Sequence, residues 1–157
     1  MNITIIIGPL CSGKTYFLNQ IDDKDRKIDV GNIVRKIKNQ ELRVFEQHLD
    51  QNILNELYKE IQQAQLLNQN IYIAGIRQLS ILISLEFYIQ NLTSTYQRFF
   101  LNIDQQIRKE RFNLRNSDKD VHLSFEEIEQ KDDQLGLREL SNYCLNIDRD
   151  KTKVVFK

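Results

Sequence analysis

Gly8-Pro9-Leu10-Cys11-Ser12-Gly13-Lys14-Thr15 is a complete G-x-x-x-x-G-K-T string, and it directly follows the apolar run Ile3–Ile7. A β-branched run of that length reads as a buried strand, and the residues after Thr15 can continue as a helix. The string therefore sits where a strand hands over to a helix N-terminus, a place where backbone N–H groups and the helix dipole favour a polyphosphate. Gly8 and Gly13 permit close backbone approach, with Cys11 and Ser12 completing the wall of the loop. Lys14 has the reach for the β- and γ-phosphates, and the Thr15 hydroxyl is a ligand for Mg²⁺. An ordinary tight turn does not call for a lysine there. The chemistry this predicts is the binding of a nucleoside triphosphate.

Phosphoryl transfer requires charge neutralisation around the moving group and an acceptor held in line. Arg108, Arg111 and Arg115 follow one another at i, i+3 and i+7 along a basic segment, 105–115, so on a helix all three can face one way. Such a face would neutralise a transferred phosphoryl group; a solvated helix face with local ion pairs is the alternative. Asp29, after a short strand-like stretch, is the candidate general base or Mg²⁺ organiser, and it could equally cap a helix or turn. Arg35 and Arg77 suit an acceptor phosphate, or are surface residues.

These positions need a frame that gathers them. Strand signals fall at Arg26–Val30, Ile71–Ala74, Tyr96–Ile103 and Tyr143–Ile147, with Val154–Phe156 as an addition to the last. Helical spacing joins Ile33, Ile37 and Leu42, then Ile53, Leu54, Leu57, Ile61, Ala64 and Leu67, and later Leu79–Leu92. Ser124 with Glu127 three residues on is a capping-box pattern. Strands separated by helices of crossover length imply a parallel sheet with helices on both faces. Ligands of such sheets bind at the carboxyl ends of the strands, which places Gly8–Thr15, Asp29, Gly75–Arg77 and Asp104 along one edge. The expected architecture is three-layer α/β/α with about five parallel strands, one domain over 1–157 and a helical lid over approximately 105–121.

Bulk properties narrow the function. Lys plus Arg and Asp plus Glu number 22 each in 157 residues, so the net charge is zero and no global pull toward nucleic acid or membrane follows. Met1-Asn2-Ile3-Thr4 shows no basic leader, and no apolar run approaches membrane-spanning length, so a cytoplasmic location is expected. Two cysteines, Cys11 and Cys144, make no disulfide framework. His48 and His122 lie far apart without metal-ligand spacing.

Taken in order, the motifs resemble the P-loop nucleotide kinases, the nucleoside monophosphate kinases and related dephospho-coenzyme A kinases. The loop is the specific part. Ile28–Arg35 is similar to the family's segment with a catalytic aspartate and acceptor-binding arginine. Ile73-Ala74-Gly75-Ile76-Arg77 is similar to its third strand end. Leu101–Asp104 with Arg108, Arg111 and Arg115 resembles its strand and lid, and Lys131-Asp132 before Gly136-Leu137 the stretch behind the lid. The resemblance implies an ATP-dependent, Mg²⁺-requiring transfer of the γ-phosphoryl group to a small nucleotide or nucleotide-like acceptor. Three departures stand out: Ala74 for an acidic residue, Gly31 and Asn32 for a second one, and Asn142 for a late aspartate. They leave open a non-catalytic nucleotide-binding regulator. A further alternative is a phage-type kinase of polynucleotides or hydroxymethylated DNA bases, served by a basic groove of Arg98, Arg108, Lys109, Arg111, Arg115 and Lys119. A GTP-binding switch is disfavoured, because Asn-Lys-x-Asp does not occur and no Asp-x-x-Gly switch element directly follows the third strand.

Overall fold

The structure, a computed structural model, describes residues 1–39, 50–92, 95–115, 123–146 and 152–155. Its centre is β1 (Asn2–Ile7), buried at every position after the first. That is the pattern of a strand with a neighbour on each side and a helical layer on each face. β3 (Ile71–Ala74) pairs with β1 from Ile3↔Ile71 to Ile6↔Ala74, and β4 (Thr95–Leu101) flanks it on the other side from Asn2↔Thr95 to Ile7↔Phe100. β2 (Arg26–Asp29) adds to β3, and β5 (Thr152–Val155) adds to β4. All four pairings are parallel, giving a five-stranded sheet in the order β2-β3-β1-β4-β5.

Alternation along β1 divides the layers. Ile3, Ile5 and Ile7 enter a core cluster with α3 (Asp50–Leu66), α4 (Leu79–Gln90) and α7 (Leu137–Asn146). Ile6 faces the other way, packing with Leu18 of α1 (Lys14–Asn19), Ala74 and Leu101. A period of two in the strand thus becomes two helical layers. Two further helices, α5 (Gln105–Leu114) and α6 (Phe125–Leu135), sit over the loop after β1, where Leu10, Phe125 and Ile128 form a separate small cluster.

Two expectations are corrected. Tyr143–Asn146 is helix, not strand: Leu137, Leu140 and Cys144 recur at helical spacing and are all buried, so one apolar stripe docks α7 on the core. The last strand is Thr152–Val155 instead, which overlaps the addition expected at Val154–Phe156 only at Val154 and Val155; residues 147 and 156 lie outside the described residues. The helix expected from Asn32 is α2 (Val30–Lys38), which starts two residues earlier because Asp29 caps it. Leu42, His48, His122, Lys119 and the lid beyond Arg115 also lie outside the described residues. Among the described residues no helix is long and apolar enough to cross a membrane.

Candidate active site

The loop between β1 and α1 closes on itself. Ser12 donates its N–H to the Pro9 carbonyl at 3.2 Å, and the backbone takes positive φ at Cys11 (58°) and Gly13 (101°). A Cβ on Gly8 would meet Ser12 Oγ at 2.5 Å, so only glycine lets the chain pass there. Lys14 Nζ folds over the loop, donating to the carbonyls of Gly8 at 2.5 Å and Pro9 at 2.7 Å. Thr15 stands exposed at the start of α1. The first N–H groups of a helix have no carbonyl of their own helix to bond, so this turn presents donors to an anion.

Asp29 ends β2 and caps α2, accepting the Gly31 N–H at 2.9 Å. Both roles open to it are therefore compatible, since the cap fixes the side chain while the carboxylate still lines the cavity beside the loop. Two glycines make room for it. A Cβ on Gly75, where φ is +90°, would lie 2.8 Å from Asp29 Oδ1. One on Gly31 would lie 3.2 Å from the same oxygen and 3.3 Å from Arg35 Nη1. Carboxylate and guanidinium thus converge on one point above Gly31. Arg35 also donates to the Asn32 side chain.

One cavity of about 660 Å³ is lined by Gly8, the loop from Leu10 to Thr15, Asp29, Arg35, Arg77, Arg111 and Arg115. Ligand pockets commonly span roughly 300–1,000 Å³. The sheet order explains the convergence, since β3 lies between β1 and β2, and the carboxyl ends of the three parallel strands open on the same edge.

The lid arginines divide. Arg111 Nη1 donates to the Cys11 carbonyl at 3.2 Å, tying α5 to the loop, and Arg115 stacks its guanidinium 5.3 Å from the Phe112 ring centre. Arg108 is absent from the cavity lining. It is 7 % exposed, pairs with Glu129 of α6, donates to the carbonyls of Ile103 and Leu10 at 3.2 Å each, and lies 5.5 Å from the Phe125 ring centre. The three-arginine face is therefore not formed. Arg111 and Arg115 reach the cavity, but Arg108 is turned into the packing between α5 and α6 by Glu129, Phe125 and the Leu10 and Ile103 carbonyls.

The basic groove drawn from the sequence fails for similar reasons. Arg98 is 1 % exposed on β4 and paired with Glu86 at 3.5 Å. Tyr143 donates its hydroxyl to the same carboxylate at 3.0 Å. Burial first, and Glu86 second, push the Tyr96 hydroxyl well above its usual range, and burial lifts the Cys144 thiol to about 11. Lys109 pairs with Glu126 at 2.6 Å, and that hydrogen bond holds the Glu126 carboxyl below its ordinary value. Asp104, another strand-end residue, is spent capping α5 through the Gln106 N–H at 2.9 Å.

Comparison with solved structures decides the fold. A sugar kinase from a Janibacter species, unliganded, superposes at TM-score 0.60 with 12% identity, covering 99% of this chain and 85% of that one. A deoxyadenosine kinase from M. mycoides does so at 0.55 with 17% identity, covering 98% and 89%. The chain has the P-loop kinase fold. A gluconokinase from Sinorhizobium meliloti adds a third likeness, at 0.57 and 14% identity over 99% and 82%. No family model and no curated protein matches the sequence.

Within the P-loop kinase fold the departures acquire positions. Ala74 pairs with Asp29 across β2 and β3, and it is 2 % exposed in the apolar cluster under α1. The strand end therefore offers Asp29 no carboxylate beside it at that register. Asn142 is exposed on α7. A second carboxylate reaches the cavity from elsewhere: Asp132 of α6, 4 % exposed, with Oδ1 3.4 Å from Arg77 Nε. Composition and spacing give Asp132 no role of its own. Its signal was an acid on the buried stripe of an amphipathic helix, beside Phe125 and Ile128.

Proposed function

We propose that this chain is an ATP-dependent phosphotransferase that moves the γ-phosphoryl group to a nucleotide or nucleotide-like acceptor. The observation that carries the reading is a single cavity lined by the Gly8–Thr15 loop and by Asp29, Arg35 and Arg77. A protein that only binds a triphosphate needs the first set. The second set, with its cations and a carboxylate, is what an acceptor requires.

The residues fit ATP and Mg²⁺. The loop's glycine-dependent cradle suits a polyphosphate, while the Thr15 hydroxyl and the Asp29 carboxylate are hard oxygen donors of the kind Mg²⁺ takes alongside phosphate and water. ATP when bound supplies the phosphoryl group, and Mg²⁺ spreads its charge. Lys14 and Arg111 lie at the loop and neutralise negative charge there, with Arg115 lining the same space. Asp29 orients the acceptor's attacking oxygen and, where that oxygen is a hydroxyl, takes its proton. Arg35 and Arg77 hold the acceptor's anionic part.

A small slot of about 40 Å³ shares Gly31, Arg35 and Arg77 with the main cavity and continues between Val30, Val34, Ile53, Ile81 and Leu135. It holds little more than a water molecule or a methyl group. The acceptor's body therefore lies in the main cavity, with this apolar wall behind the two guanidiniums. One of the similar structures is a deoxyadenosine kinase, consistent with acceptors of nucleoside type.

The test is a transfer screen with radiolabelled ATP against nucleoside monophosphates, nucleosides, dephospho-coenzyme A, and plain or hydroxymethylated DNA. Transfer to one of the small nucleotide-like acceptors is expected. Transfer to DNA alone would overturn the acceptor class, and tight ATP binding with no transfer would make the chain a nucleotide-binding regulator.

A further inference from the structure

Asp132 is a carboxylate at 4 % exposure in the wall of a cavity meant for anions. The cavity lining carries Lys14, Arg35, Arg77, Arg111 and Arg115 against only Asp29 and Asp132. Asp29 has a place in the chemistry of transfer. Asp132 has none, and it bears on the guanidinium assigned to the acceptor, 3.4 Å from Arg77 Nε.

Its position is rigid. Asp132 projects from the last turn of α6, where its carbonyl accepts the Gly136 N–H at 3.2 Å; the first turn of that helix is capped by Ser124 and packed on Leu10 and Phe112 through Phe125. Arg77 is free to move less than a surface arginine, with its side chain 19 % exposed. A buried carboxylate stays ionised only beside a cation, and the same cation, once shared, attracts a second anion less.

We propose that Asp132 is a specificity-determining residue that competes with the acceptor's anionic group for the Arg77 guanidinium. The inference rests on the acceptor reading above. Asp132 thereby sets how much negative charge the acceptor end tolerates: a monophosphate gains Arg77 only against Asp132, whereas an uncharged nucleoside has no such contest.

The experiment fills the donor end with a non-hydrolysable ATP analogue and Mg²⁺, then measures calorimetric affinities for orthophosphate and for matched nucleoside and nucleoside monophosphate pairs. Wild type, Asp132→Asn, Arg77→Gln and the double variant are compared. Asp132→Asn is expected to tighten orthophosphate and monophosphate by about 5- to 20-fold and leave nucleosides within about twofold. The gain should vanish when Arg77 is already glutamine. Unchanged or weaker monophosphate binding in Asp132→Asn, or a gain that persists without Arg77, overturns the proposal. Should Asp132→Asn not fold, wild type still decides by NMR. The Arg77 Nε–H and Asp132 carboxyl carbon should shift with one midpoint as orthophosphate is titrated, and an unmoved Asp132 signal beside a moving Arg77 sinks the idea. If no nucleoside or monophosphate binds, the acceptor reading fails by itself, because orthophosphate still reports on this pair.

Discussion

Asp29 carries the most at the scale of single residues, because one carboxylate both caps α2 and lines the cavity. Asparagine keeps the cap oxygen but cannot take a proton. Asp29→Asn should therefore lower kcat by about 10²-fold or more while ATP affinity stays within about twofold. Steady-state kinetics beside direct ATP binding measures this, and wild-type turnover would remove Asp29 from the mechanism. Cys144 governs a different property, alkaline stability. Burial lifts its thiol from 9.0 to about 11, so above pH 9 the unfolded chain releases a proton that the folded chain keeps. Stability is full below pH 9 and falls as pH rises toward 11, by about 2–3 kcal/mol from this group if it acts alone. Tyr96, raised by burial and by Glu86, pushes in the same direction. Urea melts between pH 8 and pH 11 should show the decline, less steep in Cys144→Ala; a midpoint flat across that range refutes it.

At the scale of elements, α5 separates holding from neutralising. Arg108 joins the lid to α6 and to the Leu10 carbonyl from a buried position, whereas Arg111 and Arg115 line the cavity. Arg108→Ala leaves Glu129 with the Gln105 amide in place of a guanidinium and removes two bonds to buried carbonyls, which should cost about 2–4 kcal/mol of stability, seen as a lower melting temperature. Arg111→Ala should keep the melting temperature and lose turnover by about 10²-fold. The reverse pattern would exchange their roles. Sequence spacing could not draw this line. It fixes which residues share a helical face but not whether that face meets a cavity or a neighbouring helix. α7 shows the same limit: Tyr143-Cys144-Leu145-Asn146 has strand-like composition, and only docking of Leu137, Leu140 and Cys144 against the core makes it helical. By contrast, β1 and the loop after it were fully legible. A strand buried on both faces leaves an unbroken apolar run, and a phosphate-binding turn needs particular residues at fixed spacing. Gly75 and Asp132 were legible only as members of the third-strand and lid motifs; their contacts with Asp29 and Arg77, far away in the chain, were not.

At the scale of the whole molecule, a chain of zero net charge concentrates cations on one sheet edge. Lys14, Arg35, Arg77, Arg111 and Arg115 are brought together by four separate segments, each following a strand, so their mutual repulsion is a cost the fold bears until an anion arrives. A ligand that binds only the folded state returns that cost as stability. ATP with Mg²⁺ at about 100 times its Kd should add about 2.7 kcal/mol. For a domain of this size that corresponds to a rise in melting temperature of roughly 5–10 °C. The rise should disappear in Lys14→Ala, which removes the ammonium over the Gly8 and Pro9 carbonyls, and persist in Asp29→Asn, which leaves the loop intact. Because the attraction gathers several cations around one polyphosphate, moderate salt should shrink the rise. A melting temperature indifferent to millimolar ATP in the wild-type protein would mean that the loop does not bind the triphosphate, and the transfer chemistry would lose its donor.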